Sequence, residues 1–225
     1  MPGQQMLDEL NGLDQDFLDL AVCVGDTVAA VVHALCESDS DELALVAGER
    51  DALDTLNNRI TERGRRILLL HQPVAVDYRQ VTAILRMTTA LEQIGHLALA
   101  LGDPWRNLAA MPFALPDDLP QLAIEAAGLL QLALDAYTCR APALARQVCG
   151  TGAEVLDCGA TLTGWLTGAM KADPAAVEPG LSLFTVVRGL QRIAGHAIDL
   201  AGEVVFLTED QSVHSHAGTI RLSMS

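Results

Sequence analysis

Two similar seven-residue motifs occur in this chain, and this repeat constrains the fold more than any other feature of the sequence. Glu-Gln-Ile-Gly-His-Leu-Ala occupies residues 92–98, and Gln-Arg-Ile-Ala-Gly-His-Ala occupies residues 191–197. Each copy ends a long apolar run, and the Gly-His pairs are interpreted as equivalent in the two copies. Such self-similarity indicates that one structural unit was duplicated. It also marks the helix position where functional residues are expected.

The apolar periodicity predicts an all-α fold. Aromatic residues make up only 4% of the 225 residues, and apolar residues recur every three or four positions through most of the chain. Breaks at Pro73, Pro112, Pro116 and Pro174 separate six helices into two groups of three. We therefore predict two tandem, pseudo-symmetric three-helix bundles. The first covers residues 1–106, a linker covers 107–117, the second bundle covers 118–210, and residues 211–225 form a disordered tail.

Charge and motifs exclude several classes of function. The formal net charge of −15 argues against a nucleic-acid-binding surface. The N-terminal sequence resembles no secretory signal, the apolar stretches are too short to span a membrane, and the five cysteines form no C-x-x-C pair. No nucleophile elbow or phosphate-binding glycine loop occurs. These observations predict a cytoplasmic protein that is not an enzyme.

Three motifs resemble those of the PhoU family. Residues 71–79 read His-Gln-Pro-Val-Ala-Val-Asp-Tyr-Arg and are similar to the family's Q-P-x-A-x-D-L-R turn. Residues 91–96 read Leu-Glu-Gln-Ile-Gly-His and are similar to its L-E-R-I-G-D. Residues 190–204 are similar to its L-E-R-I-A-D-H-A-x-N-I-A-E-x-V. The resemblance covers residues 7–210 and includes the duplication.

This resemblance implies a fold of two three-helix bundles and a regulatory function. Family members repress the phosphate-starvation response when phosphate is plentiful, and they act by binding. The implied partners are the ATPase subunit of the phosphate ABC transporter and a membrane sensor histidine kinase. The protein would meet the membrane only through these partners, and the family makes a homodimer plausible.

The family also carries acidic pairs that bind metal clusters, four residues apart on two helices of each bundle. Residues i and i+4 share one helix face, so two such helices can direct four carboxylates at a metal. In the first bundle these positions hold Arg50, Asp54, Glu92 and His96. Asp54, Glu92 and His96 are therefore the predicted ligands of a single divalent ion, zinc or iron. Asp51 could replace Arg50 only with a local shift of the helix.

In the second bundle the corresponding positions hold Ala153, Asp157, Gln191 and Gly195. Only Asp157 is acidic, so no metal is predicted there. The alternative for the first bundle is that His96, like His196, makes a polar contact between helices while the carboxylates face solvent.

Two questions stay open at the level of sequence. The chain could be a phosphate-signalling regulator, a metal-binding or metal-storage helical protein, or a helical adaptor outside the phosphate system. A basic patch comprising Arg59, Arg63, Arg65, Arg66 and Arg79 could contact an acidic partner, or it could offset the dipole of its helix.

Overall fold

Helices account for nearly all of the chain that is described by this computed structural model, which comprises residues 2–37, 47–209, 213–216 and 219–222. The helices are α1 (Pro2–Glu37), α2 (Arg50–His71), α3 (Ala75–Ala100), α4 (Gly102–Ala109), α5 (Asp118–Thr138), α6 (Pro142–Ala172) and α7 (Val177–Glu209). Short 3-10 turns at Ala47–Glu49 and Pro174–Ala176 precede α2 and α7. The start predicted for the second helix, near residue 42, lies outside the described residues.

The long helices form two three-helix bundles, which confirms the predicted fold class. Helices α1, α2 and α3 pack against one another, as do α5, α6 and α7. The bundles meet where α3 packs against α7 and α1 packs against α5. The buried apolar residues of both bundles form one continuous hydrophobic core. The two units are therefore tandem in sequence but share one interior.

Helix α1 shows why this sequence forms bundle helices. Its buried residues recur every three or four positions, so they lie along one face that packs on α2, α3 and α5. They include Leu13, Phe17, Leu20, Val24, Val28 and Val31. By length and apolar composition, Gln4–Glu37 could also cross a membrane, a test that the core helix of a soluble protein meets as well. In this structure the apolar face of α1 lies in the protein core.

The boundary between the bundles differs from the prediction. The third long helix ends at Ala100, but the linker that was predicted to begin at residue 107 overlaps a further helix, α4, over Gly102–Ala109. Trp105 and Leu108 of α4 are buried, and α4 lies against α7. Burial of these two side chains stabilises this short helix, and Asp103 and Pro104 are compatible with its first turn.

The predicted disordered tail also contains regular structure. Val213–His216 and Thr219–Leu222 form an antiparallel hairpin in which Val213 pairs with Leu222. The prediction rested on the polar, serine-rich composition of residues 211–225, which overlooks the alternation of polar and apolar residues in Thr219–Leu222. The other residues of the predicted tail lie outside the described part of the chain.

Burial fixes the true register of the internal repeat. Equivalent core positions in α3 and α7 are Leu91 with Leu190, Ile94 with Ile193 and Ala98 with Ala197. In this register Gly95 corresponds to Ala194 and His96 corresponds to Gly195. The Gly-His pairs, which were interpreted as equivalent, are therefore offset by one residue. Because one residue rotates a helix position by about 100°, His96 and His196 face different surroundings.

Ion pairs between α1 and α2 account for most of the basic patch. The side chain of Asp16 is only 9% exposed, and its two oxygens lie 2.9 Å from Arg59 Nε and 2.7 Å from Arg63 Nε. One turn away, Arg66 Nη2 lies 2.6 Å from Glu9, and this hydrogen bond lowers the pKa of the Glu9 carboxyl. From the sequence, the basic patch was interpreted as a contact for an acidic partner or as an offset of its helix dipole. Neither interpretation included these pairs, because the paired residues are more than forty positions apart in the chain.

Polar and aromatic contacts also join the two bundles. Arg86 of α3 lies 3.2 Å from the Glu203 carboxylate of α7, and the guanidinium groups of Arg86 and Arg79 lie over the Phe206 ring at 5.5 and 5.8 Å. Burial raises the pKa of Glu203, and Arg86 opposes that shift. Cation–π contacts of this kind stabilise a contact between bundles.

A second polar contact joins α1 to α5. The Asp14 carboxylate accepts hydrogen bonds from the Tyr137 hydroxyl and, at 2.9 Å, from Arg140. The Tyr137 ring is buried and packs edge-on against Phe17 at a centroid distance of 4.6 Å. Burial, together with this hydrogen bond to Asp14, raises the pKa of Tyr137.

We predict that Asp16→Asn lowers the free energy of unfolding by about 2 kcal/mol, because Arg59 and Arg63 lose the buried charge that they share. Asp8→Asn is the matched control on the same helix, since Asp8 is exposed and accepts a hydrogen bond from Gln4, a neutral side chain on the same helix. Urea unfolding followed by circular dichroism measures both variants. Equal stability of Asp16→Asn and the wild type would contradict a stabilising role for the ion pairs.

Candidate functional site

Helices α2 and α3 bring together the three predicted metal ligands. Asp54 lies in the second turn of α2, while Glu92 and His96 lie four residues apart on one face of α3. One ligand atom from each residue lies within 4.8 Å of the other two. In the part of the chain that the structure describes, this is the one group of three or more potential ligands at that spacing. The predicted residues therefore converge, while metal binding itself stays a prediction.

A glycine beside the site allows the close approach of its helices. A Cβ atom on Gly95 would lie 2.9 Å from Leu53 Cδ1 of α2 and 3.5 Å from Val24 Cγ2 of α1. The first distance is shorter than carbon atoms tolerate, so the buried Leu53 side chain would have to shift to admit a larger residue here. Leu53 and Gly95 precede Asp54 and His96 directly, so this packing sets the distance between the two polar side chains.

Asp54 and His96 are in direct contact. His96 Nε2 lies 2.9 Å from Asp54 Oδ1, and since a carboxylate only accepts, the imidazole N–H is the donor. The side chain of Asp54 is 46% exposed and that of His96 is 31% exposed, so solvent reaches the pair. The expectation that His96 makes a polar contact between helices is confirmed by this hydrogen bond.

The donor set fits one borderline metal ion better than a cluster. An imidazole and two carboxylates are ligands that zinc accepts, and a fourth position would hold water. Ligand atoms around tetrahedral zinc lie roughly 3.4 Å apart, so the contact between Asp54 and His96 would have to open slightly. The Nε2 proton would also have to move to Nδ1. Both changes are small for partly exposed side chains.

Position 50, the fourth position at which the acidic pairs of the PhoU family fall in the first bundle, contributes no ligand. Arg50 and Asp51 are both exposed in the first turn of α2, and neither belongs to the ligand group. The local helix shift that would bring Asp51 in place of Arg50 does not occur in this structure.

The second bundle replaces the site with a direct contact between helices. Gln191 is only 7% exposed, and its Nε2 donates to the Leu156 carbonyl of α6 at 3.0 Å. Its Oε1 accepts from Arg188 at 2.9 Å. Gly159 provides the space, because a Cβ atom there would lie 2.6 Å from Gln191 Cδ. A neutral amide thus links α6 and α7 at the position that corresponds to Glu92 of the first bundle.

The other counterparts in the second bundle do not converge. Asp157 is exposed, Ala153 has no ligand atom, and a Cβ atom on Gly195 would contact nothing within 4 Å. His196 was expected to bridge two helices, but its Nδ1 lies 3.8 Å from Asp199 of its own helix. Burial lowers the pKa of His196. The one-residue offset of the Gly-His pairs explains why His196 does not take the place of His96.

We predict that Gly159→Ala lowers the free energy of unfolding by about 1 kcal/mol. Displacement of the buried Gln191 amide destabilises the protein by more than the higher helix propensity of alanine stabilises it. Gly164→Ala on the same helix is the matched control, because its Cβ atom would meet open space. That variant should instead gain up to about 1 kcal/mol. Thermal and urea unfolding measure the change in the free energy of unfolding of both variants. A stabilised Gly159→Ala variant would refute the packing argument.

Comparison with known proteins supports the same family as the sequence motifs. The family model of the PhoU domain matches residues 17–102. The "Phosphate-specific transport system accessory protein PhoU homolog" of Caulobacter vibrioides is 30% identical over 202 residues, which cover 88% of this chain and 87% of that protein. The homologue of the same name from Pseudomonas aeruginosa is 27% identical and covers 97% of this chain and 91% of its own length.

Solved structures show the same fold. The crystal structure of PhoU from Pseudomonas aeruginosa is similar with a TM-score of 0.85 at 26% identity, covering 90% of this chain and 98% of that one. The phosphate transport system regulatory protein PhoU from Streptococcus pneumoniae is similar with a TM-score of 0.84 at 21% identity, covering 93% and 100%. The paired bundles, the repeated motif and the relatives that match along most of its length place this chain in the PhoU family.

Proposed function

We propose that this protein is a negative regulator of phosphate uptake and of phosphate-starvation signalling. It acts in the cytoplasm by binding the ATPase subunit of the phosphate ABC transporter and a membrane sensor histidine kinase, and it catalyses no reaction. The observation that carries this proposal is the match over 88% of the chain to a relative named as an accessory protein of phosphate-specific transport.

The surface chemistry supports action through protein partners. A formal net charge of −15 disfavours direct binding of phosphate, DNA or an anionic membrane. The described residues nevertheless include exposed apolar side chains at the α2–α3 turn, among them Val74 and Val76. Exposed apolar patches are typical of protein contacts. A regulator that senses phosphate through a transporter needs such surfaces and no phosphate site of its own.

We predict that deletion of the gene derepresses phosphate-starvation genes in phosphate-rich medium. A transcriptional reporter under a phosphate-starvation promoter measures this in a host that carries one copy of the gene. Wild-type protein supplied in trans should restore repression. A reporter that stays silent in the deletion strain would contradict the proposal.

The α2–α3 turn is expected to be required for this repression. Replacing residues 73–79 by a glycine–serine segment of equal length should leave the protein folded but unable to restore repression. The same replacement of residues 110–116, in the linker between bundles, is the control. Full repression by the turn variant would show that the turn has no role in signalling.

A second candidate function is metal binding, and the convergence of Asp54, Glu92 and His96 is the observation that favours it. The bound ion would link α2 to α3 where the second bundle uses the Gln191 amide. One ion, zinc or iron, is proposed, and it would stabilise the first bundle. A purified protein with stoichiometric zinc or iron would support this candidate, including a metal-storage function.

We predict that wild-type protein binds one zinc ion and that Glu92→Ala weakens binding at least about tenfold, as loss of one of three protein ligands should. Isothermal calorimetry measures both, with Asp157→Ala as a control that should match the wild type. Since the ligating imidazole has to be deprotonated at Nε2, affinity should fall on acidification. Equal affinity in wild type and Glu92→Ala would exclude the site. Absence of binding in both would leave His96 and Asp54 with a structural role only.

A further inference from the structure

Helices α1 and α5 hold seven and three carboxylates, respectively, but no lysine or arginine. The two helices pack side by side and run antiparallel. Near the start of α1, Asp14 contacts Tyr137 at the end of α5. Further along α1, a Cβ atom on Gly25 would lie 3.7 Å from Leu134 Cδ1, earlier in α5. Together they present a surface to which neither helix contributes a cationic side chain.

Part of this negative charge is neutralised by arginines from neighbouring elements. The carboxylates Glu9, Asp14, Asp16 and Asp19 of α1 pair with Arg66, Arg140, Arg63 and Arg59. In contrast, Asp26 of α1 and Glu125 and Asp135 of α5 form no ion pair with any residue that the structure describes. The charge of these three carboxylates is therefore not cancelled within the described protein.

Glutamines, rather than cations, hold the two carboxylates of α5. Gln131 Nε2 donates to Asp135 at 2.9 Å, and Gln121 Nε2 donates to Glu125 at 2.7 Å. A residue four positions away on a helix is where a cation would stabilise a carboxylate. A neutral amide at that position fixes the orientation of the carboxylate and leaves its negative charge intact.

Thiols on either side of the uncancelled carboxylates experience their negative charge. Burial raises the pKa of Cys23 on α1, and nearby carboxylates that include Asp26 raise it further. Burial likewise raises the pKa of Cys158 on α6, and nearby carboxylates that include Glu125 add to that shift. The negative potential therefore extends across both helices.

Two large apolar side chains are exposed beside these carboxylates. Val22 is 65% exposed one turn before Asp26, and Ile124 is 53% exposed next to Glu125. One turn after Ile124, a Cβ atom on Gly128 would contact nothing within 4 Å, so the surface is open there. We define the α1–α5 face by these apolar residues and the three uncancelled carboxylates, namely Val22, Asp26, Ile124, Glu125 and Asp135.

A surface of this composition fits a segment that carries both cationic and apolar side chains. Cations of such a segment would pair with the carboxylates, and its apolar side chains would cover Val22 and Ile124. From Ile124 to Asp135 the face extends roughly 16 Å along α5, a length that about three turns of helix span. A short basic amphipathic segment therefore matches the face in charge and in length.

Membrane proteins carry segments of this kind on their cytoplasmic side. The positive-inside rule concentrates lysine and arginine in short cytoplasmic loops and next to the ends of transmembrane helices. An anionic bilayer does not compete for the α1–α5 face, because the negative surface potential of the bilayer repels it. A membrane sensor kinase, proposed above as a partner, has such basic segments where a cytoplasmic protein can reach them.

We propose that the α1–α5 face is a docking surface for a lysine- and arginine-rich, membrane-proximal cytoplasmic segment of the sensor histidine kinase. Long-range attraction speeds the encounter and orients the regulator, and burial of Val22 and Ile124 prolongs the contact. This inference rests on the proposed function, because it assigns the surface through which the regulator contacts its kinase.

The test measures binding of the full-length protein to the full-length kinase in phosphatidylcholine nanodiscs, by surface plasmon resonance at several salt concentrations. Asp26→Asn and Asp135→Asn remove charge while they keep the shape of the side chain, and Val22→Ser removes an apolar group. Glu178→Gln and Leu181→Ser on α7 are matched controls, an exposed carboxylate and an exposed leucine outside the α1–α5 face. Thermal unfolding confirms that all variants are folded.

Asp26→Asn and Asp135→Asn should each slow association about threefold and reduce its dependence on salt. Val22→Ser should speed dissociation about fivefold, as loss of a buried apolar side chain at an interface does. Both controls should bind as the wild type does. A kinase whose membrane-proximal lysines and arginines are replaced by glutamine should lose binding to the wild-type regulator.

Other outcomes overturn the proposal in distinguishable ways. Wild-type affinity in all three face variants would refute the docking surface and leave the proposed function intact. Equal losses in face and control variants would show an unspecific effect of charge and refute the location. Full binding to the glutamine-substituted kinase would refute the basic segment as the occupant. Absence of binding by the wild type would refute both the surface and the kinase as a partner, while the deletion reporter tests the regulatory function separately.

Discussion

The packing of α3 against its neighbours is the contact on which the rest of the structure depends. Its buried side chains meet α1 and α2 within the first bundle and α7 of the second. Leu91 and Ile94 are fully buried, and Gly95 allows Leu53 of α2 to approach within contact distance. Glu92 and His96 lie between these core positions, so their placement follows from hydrophobic packing rather than from polar attraction. The candidate site is thus built on rigid elements, as a binding site needs to be.

The sequence was sufficient to predict the long helices and the two bundles, because these follow from local periodicity that the chain carries in any context. The choice of Asp54, Glu92 and His96 as converging residues rested on the resemblance to the PhoU family, since Asp54 has no acidic partner four residues away. The ion pairs of Asp16 with Arg59 and Arg63 could not be predicted in the same way, since they depend on how α1 rotates against α2. Helix α4 was missed because it has only eight residues and its burial through Trp105 depends on packing against α7.

The repeat illustrates how a strong local signal can mislead by a single residue. Two identical Gly-His pairs suggest equivalence, but the buried leucines and isoleucines align α3 with α7 one position away. Core packing decides register because a shift of one residue would turn the apolar face out of the interior. The first bundle has three ionisable groups between α2 and α3, while the second has a neutral amide bridge from Gln191 to α6. The two halves keep one architecture with different polar chemistry.

The stacking of Arg79 on Phe206 has a mechanical consequence. Arg79 lies one turn into α3, directly after the exposed α2–α3 turn, while Phe206 belongs to the last helix of the other bundle. A displacement of the turn that carries Arg79 with it changes the distance to Phe206, and Arg86 connects the same ring to Glu203. The exposed α2–α3 turn is therefore connected to the last helix of the second bundle through Arg79, Arg86 and Phe206, in addition to the buried packing of α3 on α7.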